Sequence, residues 1–123
     1  MKCRFFVLAP ESPNFLRVRA LDTASLNVTW MPPNITNGVI IEYTVQYGID
    51  GTVYNESVRV GPDIYSVKLT NLECWVLYEV CVSASTSVGT GPEICDTGIP
   101  NVYGKYSYYN LYVYICRWSF FQF

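Results

Sequence analysis

The stretch "NLECWVLYEVCVSAST", residues 71–86, decides the fold because its apolar residues recur with the period of a β-strand. The apolar face comprises Tyr78, Val80, Val82 and Ala84. The polar face comprises Glu79, Cys81 and Ser83. Since alternate side chains of a strand point to opposite faces, we expect one face to be buried and the other to lie in solvent. Cys81 is therefore expected to face solvent.

The same alternation recurs along the first hundred residues between short turn signals. It is present in "SLNVTW" (25–30), "EYTVQY" (42–47) and "YSVKL" (65–69), and the runs are separated by clusters such as "PPNITNG" (32–38) and "GTGP" (89–92). About seven short strands with frequent turns are typical of an antiparallel β-sandwich or barrel. The inward faces would supply the core, with Trp30 and Tyr43 as its largest members.

The composition limits the classes of function. The chain has 123 residues, of which 50% are apolar and 15% charged, as expected for one globular domain. The net charge is −2 and the sequence shows no basic stripe, which argues against nucleic-acid binding. Histidine is absent, and neither a C-x-x-C pair nor a paired-carboxylate spacing occurs. We therefore expect no catalytic residues, metal, cofactor or small-molecule substrate.

Five spaced motifs resemble the fibronectin type III family. They are "SPNFLRV" (12–18), "SLNVTWMPP" (25–33), "NGVIIEYTVQY" (37–47), "VKLTNLECWVLYEVCVSAST" (67–86) and "SVGTGPE" (87–93). Trp30 and Tyr43 match the family's core aromatic residues, and Leu72 and Tyr78 match the leucine and tyrosine of its E–F corner. The family's usual proline and threonine in this corner are replaced by Cys74 and Val76.

The resemblance implies an all-β fold, a seven-stranded antiparallel immunoglobulin-like β-sandwich. It assigns residues 10–100 to a fibronectin type III domain, with an unassigned N-terminal extension at 1–9 and an unassigned aromatic tail at 101–123. It also implies that Tyr78 is buried and donates its hydroxyl to a backbone carbonyl near Leu72 or Glu73.

The turn "SVGTGP" folds the chain back so that Cys81 lies opposite residues 95–97, a range that contains Cys95. Opposed residues of an antiparallel pair are close enough for a disulfide. We predict a Cys81–Cys95 bridge; the alternative is two unrelated free thiols. Five cysteines are present, and the pairing of Cys3, Cys74 and Cys116 stays open.

Three N-x-S/T sequons begin at Asn27, Asn34 and Asn55, and each is a predicted N-glycosylation site. A paired cysteine together with exposed sequons indicates an oxidising compartment. We expect an extracellular or cell-surface location. The apolar run at 5–9 is too short for a convincing signal peptide, so we interpret the chain as a fragment of a longer extracellular protein.

The tail, residues 101–123, does not fit the family pattern and holds six of the eleven tyrosines. Three interpretations are open: an additional strand segment, a hydrophobic interaction surface, or an artefactual or truncated end. As a membrane span the segment is short, and Arg117 interrupts it. If exposed, it would favour aggregation. Of the three interpretations we favour the last.

The resemblance implies a non-catalytic protein-binding or spacer module of an adhesion, matrix or cell-surface protein, with adjacent domains of a longer chain among its partners. One alternative is a piece of the ectodomain of a receptor tyrosine kinase or phosphatase. Another is an intracellular scaffold module of the same fold. Loops on such a scaffold carry contacts, and the best positions are the B–C stretch 33–39 and the F–G stretch 87–92. Val88 and Thr90 form the predicted contact tip of the F–G stretch. The F–G stretch has no Arg-Gly-Asp sequence.

Overall fold

The computed structural model describes residues 8–101, which form seven β-strands. The strands are β1 (Asn14–Asp22), β2 (Ser25–Met31), β3 (Glu42–Ile49), β4 (Glu56–Val60), β5 (Ser66–Leu69), β6 (Tyr78–Ser85) and β7 (Ile94–Gly98). One sheet has the order β1-β2-β5 and the other β4-β3-β6-β7, and every pairing is antiparallel. The predicted seven-stranded antiparallel sandwich is confirmed. Of the tail at 101–123 the structure describes only Asn101. Residues 102–123 and the first seven residues lie outside the described residues.

The core lies between the two sheets and is built from the alternating inward residues of the central strands. Trp30 from β2 and Tyr43 from β3 are both buried, and their ring centroids are 5.6 Å apart. The valines and leucines around them are fully buried as well: Leu26, Val28, Val45, Leu69, Val80 and Val82. Such tilted aromatic pairs stabilise a core beyond the area that they bury. The indole N–H of Trp30 has no hydrogen-bond partner within the described part of the chain.

The central strand β6 is covered on both faces, so the prediction that Cys81 faces solvent is wrong. Cys81 is only 1% exposed, and Ser83 and Ser85 on the same face are also buried. The sulfur of Cys81 is covered by its bond to Cys95 on β7 and by the hydroxyl of Tyr54, which is 2.9 Å from it. Sequence periodicity identified the inner face of β6, but the outer face is covered by residues from distant parts of the chain.

Two glycines permit close approaches that hold the edges of the sandwich together. A Cβ on Gly91 would lie 1.9 Å from the carbonyl oxygen of Pro10. A Cβ on Gly98 would lie 2.6 Å from a methyl group of Val18 on β1. Gly91 therefore allows the segment around Pro10, which precedes β1, to pack against the F–G stretch. Gly98 allows β7 to approach the opposite sheet.

The turn between β1 and β2 is closed by Asp22. Its carboxylate accepts hydrogen bonds from the Ser25 hydroxyl at 2.7 Å and the Ala24 amide at 2.9 Å. These bonds favour the charged form, and they lower the pKa of Asp22 from its ordinary value of 3.8, the Ser25 bond contributing most.

We expect Asp22 to contribute to the acid sensitivity of the fold. Its folded-state pKa is depressed, so its contribution is complete above the unfolded-state pKa and is lost as the pH falls below about 4. Asp22→Asn keeps an acceptor oxygen but removes the charge. The free energy of unfolding of the wild type should therefore fall more steeply between pH 5 and pH 2 than that of the variant, by less than about 1 kcal/mol because the carboxylate is exposed. Urea titrations of both proteins at pH 5 and pH 2 would measure these free energies. An equal loss of free energy of unfolding in the wild type and the variant would contradict the prediction.

Candidate functional site

The E–F corner is held by Tyr78 and by the backbone around it. Tyr78 is buried, and its hydroxyl accepts a hydrogen bond from the Glu73 amide at 2.8 Å. The sequence predicts that the hydroxyl donates to a nearby carbonyl, whereas the hydrogen bond that the structure shows runs from the Glu73 N–H to the hydroxyl oxygen. The amide of Leu72 donates to the Ala24 carbonyl at 2.9 Å, and the amide of Trp75 donates to the Pro100 carbonyl at 3.0 Å. The corner is therefore tied both to the β1–β2 turn and to the end of β7.

Cys81 and Cys95 form a disulfide across the β6–β7 hairpin, the pair predicted from the sequence. They are direct partners in the strand register, with an S–S distance of 2.02 Å and a Cα–Cα distance of 4.1 Å. Cys74 is disulfide-bonded as well. Cys3 and Cys116, whose pairing the sequence left open, lie outside the described residues.

A small polar cluster covers this disulfide. The Tyr54 hydroxyl donates a hydrogen bond to the Glu79 carboxylate and also contacts the Cys81 sulfur. The bond to Glu79 and partial burial raise the pKa of Tyr54 to about 12, so the phenol stays protonated at physiological pH. Sequence reasoning missed Tyr54, because it lies in an irregular segment 25 residues from Glu79 and shows no periodic signal.

The cluster does not amount to a metal centre. Glu79, Cys81 and Cys95 bring their ligand atoms within 4.8 Å of one another. Both sulfurs, however, belong to the disulfide, whereas a cysteine binds a metal as the free thiolate. The arrangement therefore stabilises the hairpin and leaves Glu79 as the one group of the three that could act as a ligand.

The F–G stretch forms a tight hairpin turn whose tip is Ser87 and Val88. Thr86 and Gly89 close the turn by exchanging backbone hydrogen bonds of 3.0 and 3.2 Å. Val88 is 48% exposed. Thr90 is also exposed, but its hydroxyl lies 2.7 Å from the Ser85 hydroxyl. Val88 is thus presented to solvent, whereas the Thr90 hydroxyl has a bond inside the loop.

The B–C stretch lies beside this hairpin. A Cβ on Gly38 would be 3.7 Å from the Thr86 side chain, and the Asn37 amide donates to the Ala9 carbonyl at 2.9 Å. The Asn14 amide donates both to the Pro32 carbonyl and to the Asn34 side-chain oxygen. Two loops from different parts of the sequence therefore form one end of the sandwich, held by the N-terminal segment.

The three sequons differ in accessibility. Asn34 in the B–C stretch and Asn55 before β4 are exposed. Asn27 is half-buried in the middle of β2, on its outward face between Arg19 and Lys68.

Two antiparallel sheets with this strand order, packed around a core tryptophan and fastened by a tyrosine at the E–F corner, define an immunoglobulin-like β-sandwich. The family model of the fibronectin type III domain matches residues 11–94. The chain belongs to the fibronectin type III family.

Relatives are found among receptors and adhesion proteins. Receptor-type tyrosine-protein phosphatase F of Danio rerio is 37% identical over 91 residues, covering 69% of this chain and 5% of that protein. Protein sidekick of Drosophila melanogaster is 35% identical over 89 residues, covering 71% of this chain and 4% of that protein. The chain therefore spans only 4–5% of the length of these relatives, and its match to the phosphatase lies in the fibronectin type III region, a non-catalytic fold.

Solved structures agree with this assignment. The fn3 domain of the human collagen alpha-1(XX) chain has a TM-score of 0.66 at 25% identity and covers 81% of this chain and 94% of that domain. The FN1–FN3 domains of chicken CNTN1 give a TM-score of 0.66 at 27% identity, covering 74% of this chain and 32% of that one. Within residues 8–101, no helix has the length and hydropathy needed to cross a membrane.

Proposed function

We propose that this protein is an extracellular binding or spacer module, with residues 10–100 forming the domain and the B–C and F–G loops contacting another protein. The proposal rests on the observation that these two loops lie side by side at one end of the sandwich, which the Cys81–Cys95 disulfide cross-links. A contact surface on a rigid scaffold loses little conformational entropy on binding. Val88 would act as an apolar contact at the tip, and Thr90 would keep the loop closed through Ser85.

The disulfide and two exposed sequons support an extracellular location. The Cys81–Cys95 bond persists in an oxidising compartment. Asn34 and Asn55 are exposed in sequons and are proposed to carry N-glycans. A glycan on Asn34 would shield the B–C loop and leave the F–G tip as the main contact.

A second candidate is a piece of the ectodomain of a receptor phosphatase, favoured by the 37% identity to receptor-type tyrosine-protein phosphatase F. In both cases this domain would bind a partner protein or act as a spacer between neighbouring domains, and it would not itself turn over a substrate. The coding sequence downstream of residue 100 separates the two: further sandwich repeats favour an adhesion protein, whereas a membrane span followed by a phosphatase domain favours a receptor.

We expect Val88→Asp to weaken partner binding at least tenfold, because a charge would replace an apolar contact at the tip. The full chain would be screened against an array of purified adhesion-protein ectodomains, and affinities measured for each partner found. Val53→Asp is the matched control, since Val53 is 82% exposed in the β3–β4 turn at the other end of the domain. If Val88→Asp binds like the wild type while its circular dichroism spectrum is unchanged, the F–G tip is not the contact.

A further inference from the structure

Cys74 in the E–F corner is disulfide-bonded, and the cysteine count limits its partner to two residues. The chain has five cysteines, and Cys81 and Cys95 are bonded to each other. The partner of Cys74 within the chain is therefore Cys3 or Cys116, which lie at opposite ends of the sequence. Each alternative would bring a different segment of the chain to the corner.

Cys3 belongs to the end of the sandwich that is far from Cys74. The segment around Pro10 packs against the F–G stretch, which follows the last residue of β6. Cys74 precedes the first residue of β6, and this strand of eight residues spans about 24 Å. The five residues from Leu8 back to Cys3 extend at most about 18 Å, and a disulfide joins Cα atoms about 6 Å apart. Cys3 would therefore reach Cys74 only if the chain were fully extended and ran straight along the sandwich.

Cys116 needs no such extension, because the chain leaves β7 beside the E–F corner. Trp75, next to Cys74, donates its amide to the Pro100 carbonyl at 3.0 Å. Cys116 follows Asn101 by 15 positions, which is enough chain to leave the corner, turn and return to it. A bond between Cys74 and Cys116 would hold both ends of the intervening segment at the E–F corner.

A groove adjoins the corner at the point where the described chain ends. Its volume is about 800 Å³, and its apolar lining comes from β1, the E–F corner and the residue after β7: Val18, Ala20, Trp75, Leu77 and Ile99. The side chains of Trp75 and Leu77 are 44% and 37% exposed. Pro100 and Asn101 are buried, and Asn101 itself lines the groove. The tail therefore begins inside the groove and not on an exposed loop.

The composition of the tail suits this groove. Residues 102–123 contain six tyrosines and neither Asp nor Glu, so no acidic side chain would oppose burial. Tyr114 and Trp118 lie two positions before and after Cys116, and in an extended chain the three side chains would share one face. A large aromatic side chain buries roughly 150–250 Å², and a tethered segment meets its groove at a high effective concentration.

We propose that the aromatic tail is an integral part of the domain, folded back over this groove and fastened by a disulfide between Cys74 and Cys116. Tyr114 and Trp118 would fill the groove beside Leu77. The disulfide at Cys74 favours this interpretation of the tail over an artefactual end, which would offer Cys74 no partner at this end of the sandwich.

Formation of the bond requires an oxidant, and this part of the proposal rests on the oxidising compartment proposed above. The thiols of Cys74 and Cys116 become one S–S bond. Their two protons and two electrons pass to a disulfide oxidant such as oxidised glutathione, which becomes two thiols.

The bond is tested by peptide mapping of the full chain, secreted from a eukaryotic host and denatured without reduction. Chymotrypsin cuts after aromatic residues, and two of these separate Cys74 from the peptide that holds Cys81 and Cys95. We expect Cys74 linked to Cys116, and Cys3 alkylated without prior reduction. A link between Cys3 and Cys74, or a Cys74 thiol that is alkylated while Cys81 and Cys95 are bonded, overturns the proposal.

Docking of the tail is tested by limited digestion with trypsin. All Lys and Arg residues within 8–101 lie in β-strands, whereas Lys105 and Arg117 lie in the tail. Cys116→Ala should raise the rate of cleavage after Lys105 at least tenfold, because the segment loses its fastening. Cys3→Ala is the matched control and should leave that rate unchanged.

A second variant tests whether the tail occupies this particular groove. Leu77→Asp places a charge in the groove and should raise the rate of cleavage after Lys105 at least threefold while the disulfide stays intact. Leu21→Asp is the matched control, since Leu21 is 51% exposed near the end of β1 and is not among the residues that line the groove.

Two digestion results would overturn the proposal, with circular dichroism establishing that each variant is folded. Cleavage of the wild type as fast as that of Cys116→Ala would mean that the tail does not dock. Equal rates for Leu77→Asp and Leu21→Asp would mean that it docks elsewhere. If a variant does not fold, the peptide map of the wild type still decides. Failure here is distinguishable from failure of the proposed protein-binding function, because Val88→Asp is tested at the other end of the domain against protein partners.

Discussion

Removing the Cys81–Cys95 bond is expected to lower the free energy of unfolding by about 1–3 kcal/mol. The bond closes a loop with a sequence separation of 14 residues, for which the chain-entropy model gives about 3 kcal/mol. That figure is an upper value, because the β6–β7 hairpin already brings the two residues together. The double variant Cys81→Ala/Cys95→Ala compared with the wild type by urea denaturation under non-reducing conditions would measure the loss. Alanine is used because Cys81 is buried, and a serine hydroxyl there would introduce a separate cost.

The single variants supply the control for this experiment. Either substitution alone already breaks the bond, so the double variant should lose little more than the more damaging single variant. If the two single losses instead add up in the double variant, packing of the individual side chains explains the effect rather than the covalent link. Non-reducing peptide mapping should find Cys81 linked to Cys95 in the wild type, and a Cys74–Cys81 linkage would contradict the register.

The fold could be predicted from the sequence because its signals are local. Alternation in 25–30, 42–47 and 78–84 reports which side chains face the core, and turn residues mark where each strand stops. The register across the β6–β7 hairpin could be predicted approximately, because a short turn limits the possible pairings. The turn "SVGTGP" restricted the partner of Cys81 to residues 95–97, and the structure places Cys95 opposite it.

Features that depend on distant segments could not be predicted in this way. Periodicity gives the outer face of β6 as polar, but it cannot show that Tyr54 folds over Cys81. The direction of the hydrogen bond at Tyr78 depends on which backbone group of a nonrepetitive corner points inward, and a spacing of residues does not specify that.

Tyr78→Phe is expected to destabilise the domain by about 1–3 kcal/mol, because the variant leaves the Glu73 amide without its acceptor. The loss should lie toward the lower end of this range, since Glu73 itself is exposed and water can reach part of the corner. Tyr47→Phe is the control: Tyr47 is a half-buried tyrosine whose pKa is raised by burial, and removing its hydroxyl leaves the corner intact. Urea midpoints would show a larger shift for Tyr78→Phe than for Tyr47→Phe, and hydrogen exchange of the Glu73 amide should become faster in the first variant only. Equal midpoints together with unchanged exchange at Glu73 would mean that Tyr78 serves the core through its ring alone, and the E–F corner would then depend on the backbone bonds of Leu72 and Trp75.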